Sequence, residues 1–209
     1  MKVLIINGSP RINGNTSLAI KEMEKIFEAQ GVDTETVQVG NKDVRGCIAC
    51  RRCGELGKCV FDDIVNELAP KFREADGLVV ASPVYYASAN ATLIAVLDRL
   101  FYSTPFDKTM KVGASVVCAR RGGCSATFDE LNKYFTISNM PIASEPVLEL
   151  DPRARKGRSR HGRGGKADHA HARAEHDFSY EEHRSGQRKI RAPGDGRTRM
   201  DAFYQIKFR

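Results

Sequence analysis

The sequence has no long hydrophobic run and, within its first 150 residues, no histidine. Its opening apolar run, Val3 to Ile6, is far shorter than the roughly 7 to 15 residues of a signal-peptide core. No stretch approaches the about 20 apolar residues of a membrane-spanning helix. The first 150 residues also contain no serine–histidine–aspartate set. We therefore expect a cytoplasmic protein with no membrane partner, in a compartment where disulfides are rare.

Charge is unevenly distributed along the 209 residues. Residues 1–150 carry 17 Lys and Arg against 18 Asp and Glu, whereas residues 151–209 carry 16 against 8, together with all five histidines. This change predicts a domain at 1–150, followed by an irregular basic tail at 151–209. Aromatic residues for base stacking are sparse in the tail, so nucleic acid is not expected as a partner.

Short apolar runs alternate with segments of helical periodicity throughout the first part. The predicted strands are KVLIING, TETVQV, GLVVASP and KVGASVVCA, and MPIASEPVLEL is expected to begin a fifth. The predicted helices are NTSLAIKEMEKIFEAQG, DDIVNELAPKFREADG, NATLIAVLDRLFY and SATFDELNKYFTI, with a kink or break expected at Pro70. This alternation predicts an α/β fold, a doubly wound parallel sheet with its ligand crevice beyond the carboxyl ends of the strands.

Three loops follow predicted strands at that edge. GSPRINGNTS, residues 8–17, lacks the Walker A and G-x-G-x-x-G patterns but offers hydroxyls, amides and one arginine at a helix start. Such a loop can hold a phosphate monoester, and a capping region without a ligand is the alternative. ASPVYYASAN places Tyr85 and Tyr86 where a planar ligand, or a neighbouring subunit, would cover them. ARRGGCS contains Gly122 and Gly123, which permit close approach of a ligand or form a flexible turn.

Four cysteines lie within thirteen residues of the segment CIACRRCGELGKC, residues 47–59. Zinc modules usually separate two C-x2-C pairs by a long stretch, whereas here three thiols come from seven residues, as in a compact iron-sulfur run. Nearby basic side chains would favour thiolates; they are Arg45, Arg51, Arg52 and Lys58. An iron-sulfur cluster, a zinc ion and a loop of metal-free thiols remain open on this evidence.

The motifs GSPRINGNTS, CIACRRCGELGKC and SPVYYASAN resemble those of the flavodoxin-like NADPH-dependent FMN reductase family, and within it the iron-sulfur flavoproteins. The resemblance covers roughly residues 1–145 and implies the flavodoxin-like strand order 2-1-3-4-5. It implies bound FMN, with its phosphate contacted by Ser9, Arg11, Asn15, Thr16 and Ser17. Its flavin ring would be contacted by Pro83, Val84, Tyr85, Tyr86, Ala119, Arg120, Arg121, Gly122 and Gly123. A [4Fe–4S] cluster would be held by Cys47, Cys50, Cys53 and Cys59.

The resemblance further implies an FMN-dependent oxidoreductase of the NAD(P)H-dependent FMN reductase or quinone reductase type. Electrons would come from NAD(P)H or a ferredoxin and pass to a quinone, free flavin, oxygen or the cluster. Because the flavin carries such chemistry, no catalytic side chain is predicted. The alternative is an iron-sulfur flavoprotein that acts as an electron carrier between protein partners. Family members are commonly dimers or tetramers, so a homodimer or homotetramer is expected.

From residue 145 the sequence departs from the family's pattern. After PIAS, residues 141–144, relatives typically continue S-Q-Y-W-N-S-I-H. One permitted codon choice for Glu145 to Pro152, read one base later, encodes that continuation. Asp168 to Asp177 can be back-translated in the same shift to a family-like amphipathic helix. We therefore interpret residues 145–209 as a frameshifted C-terminal region; a native basic tail is the alternative.

Overall fold

Strands and helices alternate along residues 1–143, which are the residues that the structure, a computed structural model, describes. The strands are β1 (Lys2–Asn7), β2 (Asp33–Gln38), β3 (Gly77–Tyr85), β4 (Ser88–Ala89) and β5 (Val112–Cys118). The helices are α1 (Asn15–Ala29), α2 (Cys53–Leu56), α3 (Ile64–Glu74), α4 (Ala91–Ser103) and α5 (Cys124–Ile137). The predicted boundary at residue 150, the tail at 151–209 and the frameshift interpretation lie outside the described residues.

Four parallel strands form the sheet in the order β2-β1-β3-β5. The sequence predicts no strand at the two-residue β4, so the strand that it predicts as the fourth corresponds to β5. Strand β4 pairs antiparallel with the end of β3. Beyond α5 the chain returns alongside β5. The amide of Gly113 donates to the Pro141 carbonyl (2.9 Å), and the amide of Ala143 donates to the Gly113 carbonyl (2.8 Å). These bonds form a parallel bridge between Gly113 and Ile142, at the place where the fifth strand was predicted to begin. The flavodoxin-like fold is confirmed.

Both faces of the sheet are covered, which explains why its inner strands are apolar almost throughout. Leu4 and Ile6 of β1 pack in one core layer with residues of α3, α4 and α5, while Val3 and Ile5 point to the opposite layer under α1. The sheet thus holds the carboxyl ends of its strands, and the loops that follow them, along one rigid edge.

The predicted helices all form, but two details differ from the prediction. Helix α3 runs from Ile64 to Glu74 with Pro70 inside it, so the proline does not end the helix. A short helix that was not predicted, α2, forms within the cysteine segment and ends where Gly57 adopts a left-handed conformation (φ 65°). Among the described residues, no helix combines the length and apolar character that crossing a membrane requires.

Candidate functional site

The loop between β1 and α1 is folded by its own polar side chains. The buried side chain of Asn7 accepts a hydrogen bond from the Ser9 amide (2.9 Å) and donates one to the Ser17 hydroxyl (3.0 Å). The Ser9 hydroxyl accepts from the Arg11 amide (3.2 Å), and the Ser17 hydroxyl donates to the Arg11 carbonyl (3.3 Å). Two of the predicted phosphate ligands therefore shape the loop itself, and Asn7, which the sequence analysis missed, anchors both.

Helix α1 begins in this loop without a side-chain cap. Its N-cap residue is Gly14, and no side chain accepts a hydrogen bond from the first turn. Among the neighbouring predicted ligands, Thr16 is buried while Arg11 and Asn15 are exposed. The first amides of a helix have no partner within the helix, and they attract an anion together with the helix dipole. The donor set therefore fits a phosphate group.

The first loop is fixed against the neighbouring strand ends. The amide of Gly8 donates to the Ala81 carbonyl of β3 (2.7 Å), and the Gln38 side-chain amide at the end of β2 donates to the Ser9 carbonyl. The Thr16 side chain lies next to Cys118 at the end of β5. Burial raises the pKa of the Cys118 thiol to about 11, with Thr16 acting in the opposite direction. The thiol is thus protonated at neutral pH.

The second loop is a tight hairpin between β3 and β4. Its two turn residues, Tyr86 and Ala87, both have positive φ (52° and 60°), the conformation of a two-residue hairpin turn that usually employs glycine or asparagine. Pro83 and Val84 are half-buried, whereas Tyr85 and especially Tyr86 are exposed. The structure therefore presents an aromatic side chain on a backbone conformation that is costly for it.

A carboxylate on α5 holds this hairpin. Glu130 accepts hydrogen bonds from the Ser88 hydroxyl (2.8 and 3.0 Å) and from the Ala89 amide (2.9 Å). Asn90 follows directly and caps α4, its side chain accepting from the Thr92 amide (2.7 Å). Helix α4 therefore starts beside the hairpin.

The third loop, residues 119–123, packs against the second. Gly123 has a left-handed backbone (φ 94°), and a Cβ built on it would lie 2.7 Å from the Cα of Ala87 and 3.1 Å from Cγ1 of Val84. Ala119 is half-buried, whereas Arg120, Arg121 and Gly122 are exposed. The predicted contacts from all three loops therefore lie along one edge of the sheet, and neighbouring loops contact one another.

The four clustered cysteines lie in a second region and line one hollow. Cys47 and Cys50 are exposed, while Cys53 and Cys59 are half-buried. Ile48, Arg51, Val60, Phe61, Arg99, Tyr102 and Ser103 line the same hollow. Within residues 1–143, no three Cys, His, Asp or Glu side chains are gathered closely enough to hold a single metal ion.

The cysteine segment has an unusual backbone. Ala49 and Arg51 both adopt positive φ (53° and 59°), and the Ala49 amide donates to the Cys47 sulfur at 3.4 Å. Left-handed residues that are not glycine cost roughly 1–2 kcal/mol each, and they persist where surrounding contacts enforce them. Here they turn the chain around the hollow, so that successive cysteines face it.

A buried arginine of α4 forms part of this hollow. Arg99 is 1% exposed and donates to the Cys59 sulfur through Nε (3.3 Å) and Nη2 (3.2 Å). Its guanidinium also pairs with both oxygens of Asp63, at 2.7 and 2.9 Å. Burial disfavours the charge, but the hydrogen bonds to Asp63 and Cys59 outweigh it and raise the pKa of Arg99 above its usual value. The sulfur of Cys59 therefore faces a permanent positive charge.

Cys59 is also held through its backbone. The Asn66 side chain accepts from the Cys59 amide (3.0 Å) and donates to the Cys59 and Phe61 carbonyls (both 3.0 Å). The Phe61 ring is contacted by the guanidinium groups of Arg45 and Arg99, each 4.9 Å from the ring centre. These contacts make Cys59 the best-fixed of the four thiols.

The cysteines were predicted from the sequence, but the residues that support Cys59, which are Asp63, Asn66 and Arg99, were not, and neither was Ser103, which lines the hollow. Asp98 and Arg99 interrupt the apolar stretch of α4, IAVLDRLF, and of the two only Arg99 stands at a position that helical periodicity buries. A charge at such a position requires a partner. That signal could have pointed to a polar cluster under the cysteine segment.

Comparison with known proteins identifies the family of this chain. Residues 1–152 match the family described as NADPH-dependent FMN reductase. The chain is 37% identical to an iron-sulfur flavoprotein of Methanocaldococcus jannaschii (75% of this chain, 81% of the relative) and 36% identical to one of Methanosarcina thermophila (69% and 78%). The fold resembles that of an NAD(P)H:quinone oxidoreductase from Methanothermobacter marburgensis, with a TM-score of 0.58 at 14% identity over 71% of this chain and 83% of that one. This chain therefore belongs to the NADPH-dependent FMN reductase family.

Proposed function

We propose that the protein is an FMN-dependent oxidoreductase, with FMN bound where the three loops meet. The observation that supports this proposal is the convergence of three loops, distant in sequence, at the carboxyl edge of the sheet. Doubly wound sheets bind their ligands at that edge. The bound flavin would supply the hydride and electron chemistry, and the protein would supply its binding and orientation.

The first loop would hold the FMN phosphate. The uncapped start of α1 offers backbone amides there, and Arg11 and Asn15 are exposed close by in sequence. Ser9 and Ser17 fix the loop backbone, and Thr16 lies beside them. Together these groups provide neutral donors with one cation for a dianionic phosphate.

The second and third loops would hold the flavin ring. Tyr85 and Tyr86 provide exposed aromatic surface, and Pro83 and Val84 provide half-buried apolar surface beside it. Residues Ala119 to Gly123 would contribute backbone to the other side of the site, with Arg120 and Arg121 as exposed cations. This arrangement would hold a planar ligand between the two loops without requiring a catalytic side chain.

We also propose that Cys47, Cys50, Cys53 and Cys59 hold a [4Fe–4S] cluster. All four line one hollow, and a four-iron cluster takes its thiolates from well-separated corners rather than from around one ion. The Arg99 guanidinium at the Cys59 sulfur and the Ala49 amide at the Cys47 sulfur would offset the negative charge of thiolates. These residues therefore suit an anionic cluster.

In this proposal, NAD(P)H or a ferredoxin reduces the protein, and a quinone, free flavin, oxygen or the cluster accepts the electrons. A second candidate is a carrier that exchanges electrons only with protein partners. Exposed cations near the hollow favour an acidic electron-transfer partner; they are Arg45, Arg51, Arg52 and Lys58. A cytoplasmic location and a homodimer or homotetramer complete the proposal.

Anaerobically purified protein tests these assignments. We expect a flavin spectrum, about one FMN and about four irons and sulfides per chain. Anaerobic oxidation of NAD(P)H with a quinone supports the reductase, whereas reduction only by a ferredoxin supports the carrier. Protein that binds no FMN after reconstitution would contradict both functions.

A further inference from the structure

The C-terminal half of α4 presents two polar side chains to the cysteine hollow. Arg99 and Ser103 are four residues apart and therefore lie on the same face of the helix. Both line the hollow, and both are buried, at 1% and 5% exposure. The rest of the buried part of α4 is mainly apolar, so this face is chemically distinct from the remainder of the helix.

The hydroxyl of Ser103 has no hydrogen-bond partner among residues 1–143. Every other buried side-chain oxygen or nitrogen of those residues has one. Leaving a buried hydroxyl without a partner costs roughly 1–3 kcal/mol. Neighbouring Thr104 shows the usual solution, because its hydroxyl donates to the Leu100 carbonyl at 2.7 Å. A hydroxyl that remains unpaired on the wall of a cysteine-lined hollow points to an acceptor that would occupy the hollow.

We infer that Arg99 and Ser103 form a hydrogen-bonding wall that raises the reduction potential of the cluster proposed above. The inference rests on that proposed cluster. Arg99 donates to the Cys59 sulfur, and Ser103 would donate to a sulfur atom of the cluster. Reduction adds negative charge to the cluster, so donors and a positive charge beside its sulfur atoms stabilise the reduced form most.

Asp63 moderates the effect of Arg99. Its carboxylate pairs with both Nη atoms of Arg99, so it neutralises much of the positive charge that faces Cys59. Removing the hydroxyl of Ser103 and removing the charge of Asp63 should therefore shift the potential in opposite directions. A merely structural role for these residues would not produce two opposite shifts.

The test is an anaerobic redox titration of the holoprotein, in which the reduced cluster is followed by electron paramagnetic resonance. We expect Ser103→Ala to lower the cluster potential, Ser103→Thr to keep it close to the parent value, and Asp63→Asn to raise it. Thr104→Val is the matched control, because it removes a buried hydroxyl on the next residue, one that does not line the hollow. The reduction potential of the cluster should not change in this variant.

The outcomes separate this inference from the proposed function. If the parent protein assembles the cluster and Ser103→Ala and Asp63→Asn both keep its potential, the inference is wrong and the cluster assignment stands. Shifts of the same sign in the two variants, or an equal shift in Thr104→Val, would also contradict it. If Ser103→Ala does not retain the cluster, the sign of the shift in Asp63→Asn decides. A parent protein without iron after reconstitution overturns the cluster assignment and the inference together.

Discussion

Gly123 packs directly against Ala87, so that a single added Cβ would lie 2.7 Å from the Ala87 Cα. The contact joins the third loop to the hairpin turn, and it is available only to a residue without a side chain. Real Cβ atoms do not approach this closely, and the left-handed backbone at Gly123 excludes most other residues independently. The two loops that we assign to the flavin ring therefore share one glycine contact.

Gly123→Ala should separate the two loops and weaken FMN binding by roughly tenfold or more, since about 1.4 kcal/mol suffices for that factor. The strained φ alone costs an alanine about 1–2 kcal/mol. Fluorescence titration with FMN measures the effect. Gly31→Ala is the control, because Gly31 has the same left-handed backbone (φ 68°), a Cβ there meets nothing within 4 Å, and it lies between α1 and β2, outside the three loops. Equal affinities in the two variants would argue against a ring site between these loops.

Replacing Ser9 and Thr16 together with alanine should lower FMN affinity on the order of a hundredfold. Each hydrogen bond to a charged group contributes about 1.5–3 kcal/mol, and Ser9 also fixes the backbone of the loop. Thr136→Ala provides the control, because that hydroxyl is exposed and bonds only within α5. Riboflavin, which lacks the phosphate, should bind the parent and the double variant alike. The phosphate assignment is wrong if the double variant binds FMN as the parent does.

Cys53→Ala should lose the iron while retaining FMN, because Cys53 lines the hollow and not the edge of the sheet where the three loops meet. Iron and sulfide assays on anaerobically reconstituted protein measure the loss, and the absorption of bound flavin measures what remains. Cys118→Ala is the matched control, since Cys118 is a buried thiol outside the cysteine segment and should leave the iron content unchanged. Stoichiometric zinc in the parent protein would refute the iron-sulfur assignment.

Cys118 should make folding stability depend on alkaline pH. Burial raises the pKa of its thiol to about 11, so the folded protein binds a proton that the unfolded chain releases above about pH 9. The stabilising contribution is complete below pH 9 and is lost as the pH rises to about 11, by about 2–3 kcal/mol. Urea unfolding of the parent and Cys118→Ala at several pH values should show the difference. Parallel pH profiles would refute it.

The DNA that encodes residues 145–209 should read Tyr-Trp-Asn when shifted by one base shortly after codon 146. The match to the family ends at residue 152, close to where the charge balance of the sequence changes. Sequencing the gene settles the question directly. A shifted frame that encodes no such segment would establish the basic tail as native.

Most of the fold was predictable because hydrophobic periodicity and strand–helix alternation are local properties. The loop contacts were predictable as a group, since the carboxyl ends of parallel strands meet at one edge. The supporting residues were not, because the bonds from Arg99 and Asn66 to Cys59, and the pairing of Arg99 with Asp63, depend on how α3 and α4 pack together. The positive φ of Tyr86 could not be predicted either, because neither residue of the turn is the glycine or asparagine that such a turn usually contains.

The Tyr86–Ala87 turn has a consequence for anyone who engineers this protein. An Asn-Gly pair would suit the left-handed backbone of the two turn residues. Removing the backbone strain at each of them should stabilise the fold by about 1 kcal/mol. The same replacement would remove the fully exposed aromatic side chain that we assign to the flavin. Thermal tolerance and cofactor affinity therefore oppose each other at this turn, and a search for heat-resistant variants should select against the tyrosine unless FMN binding is screened as well.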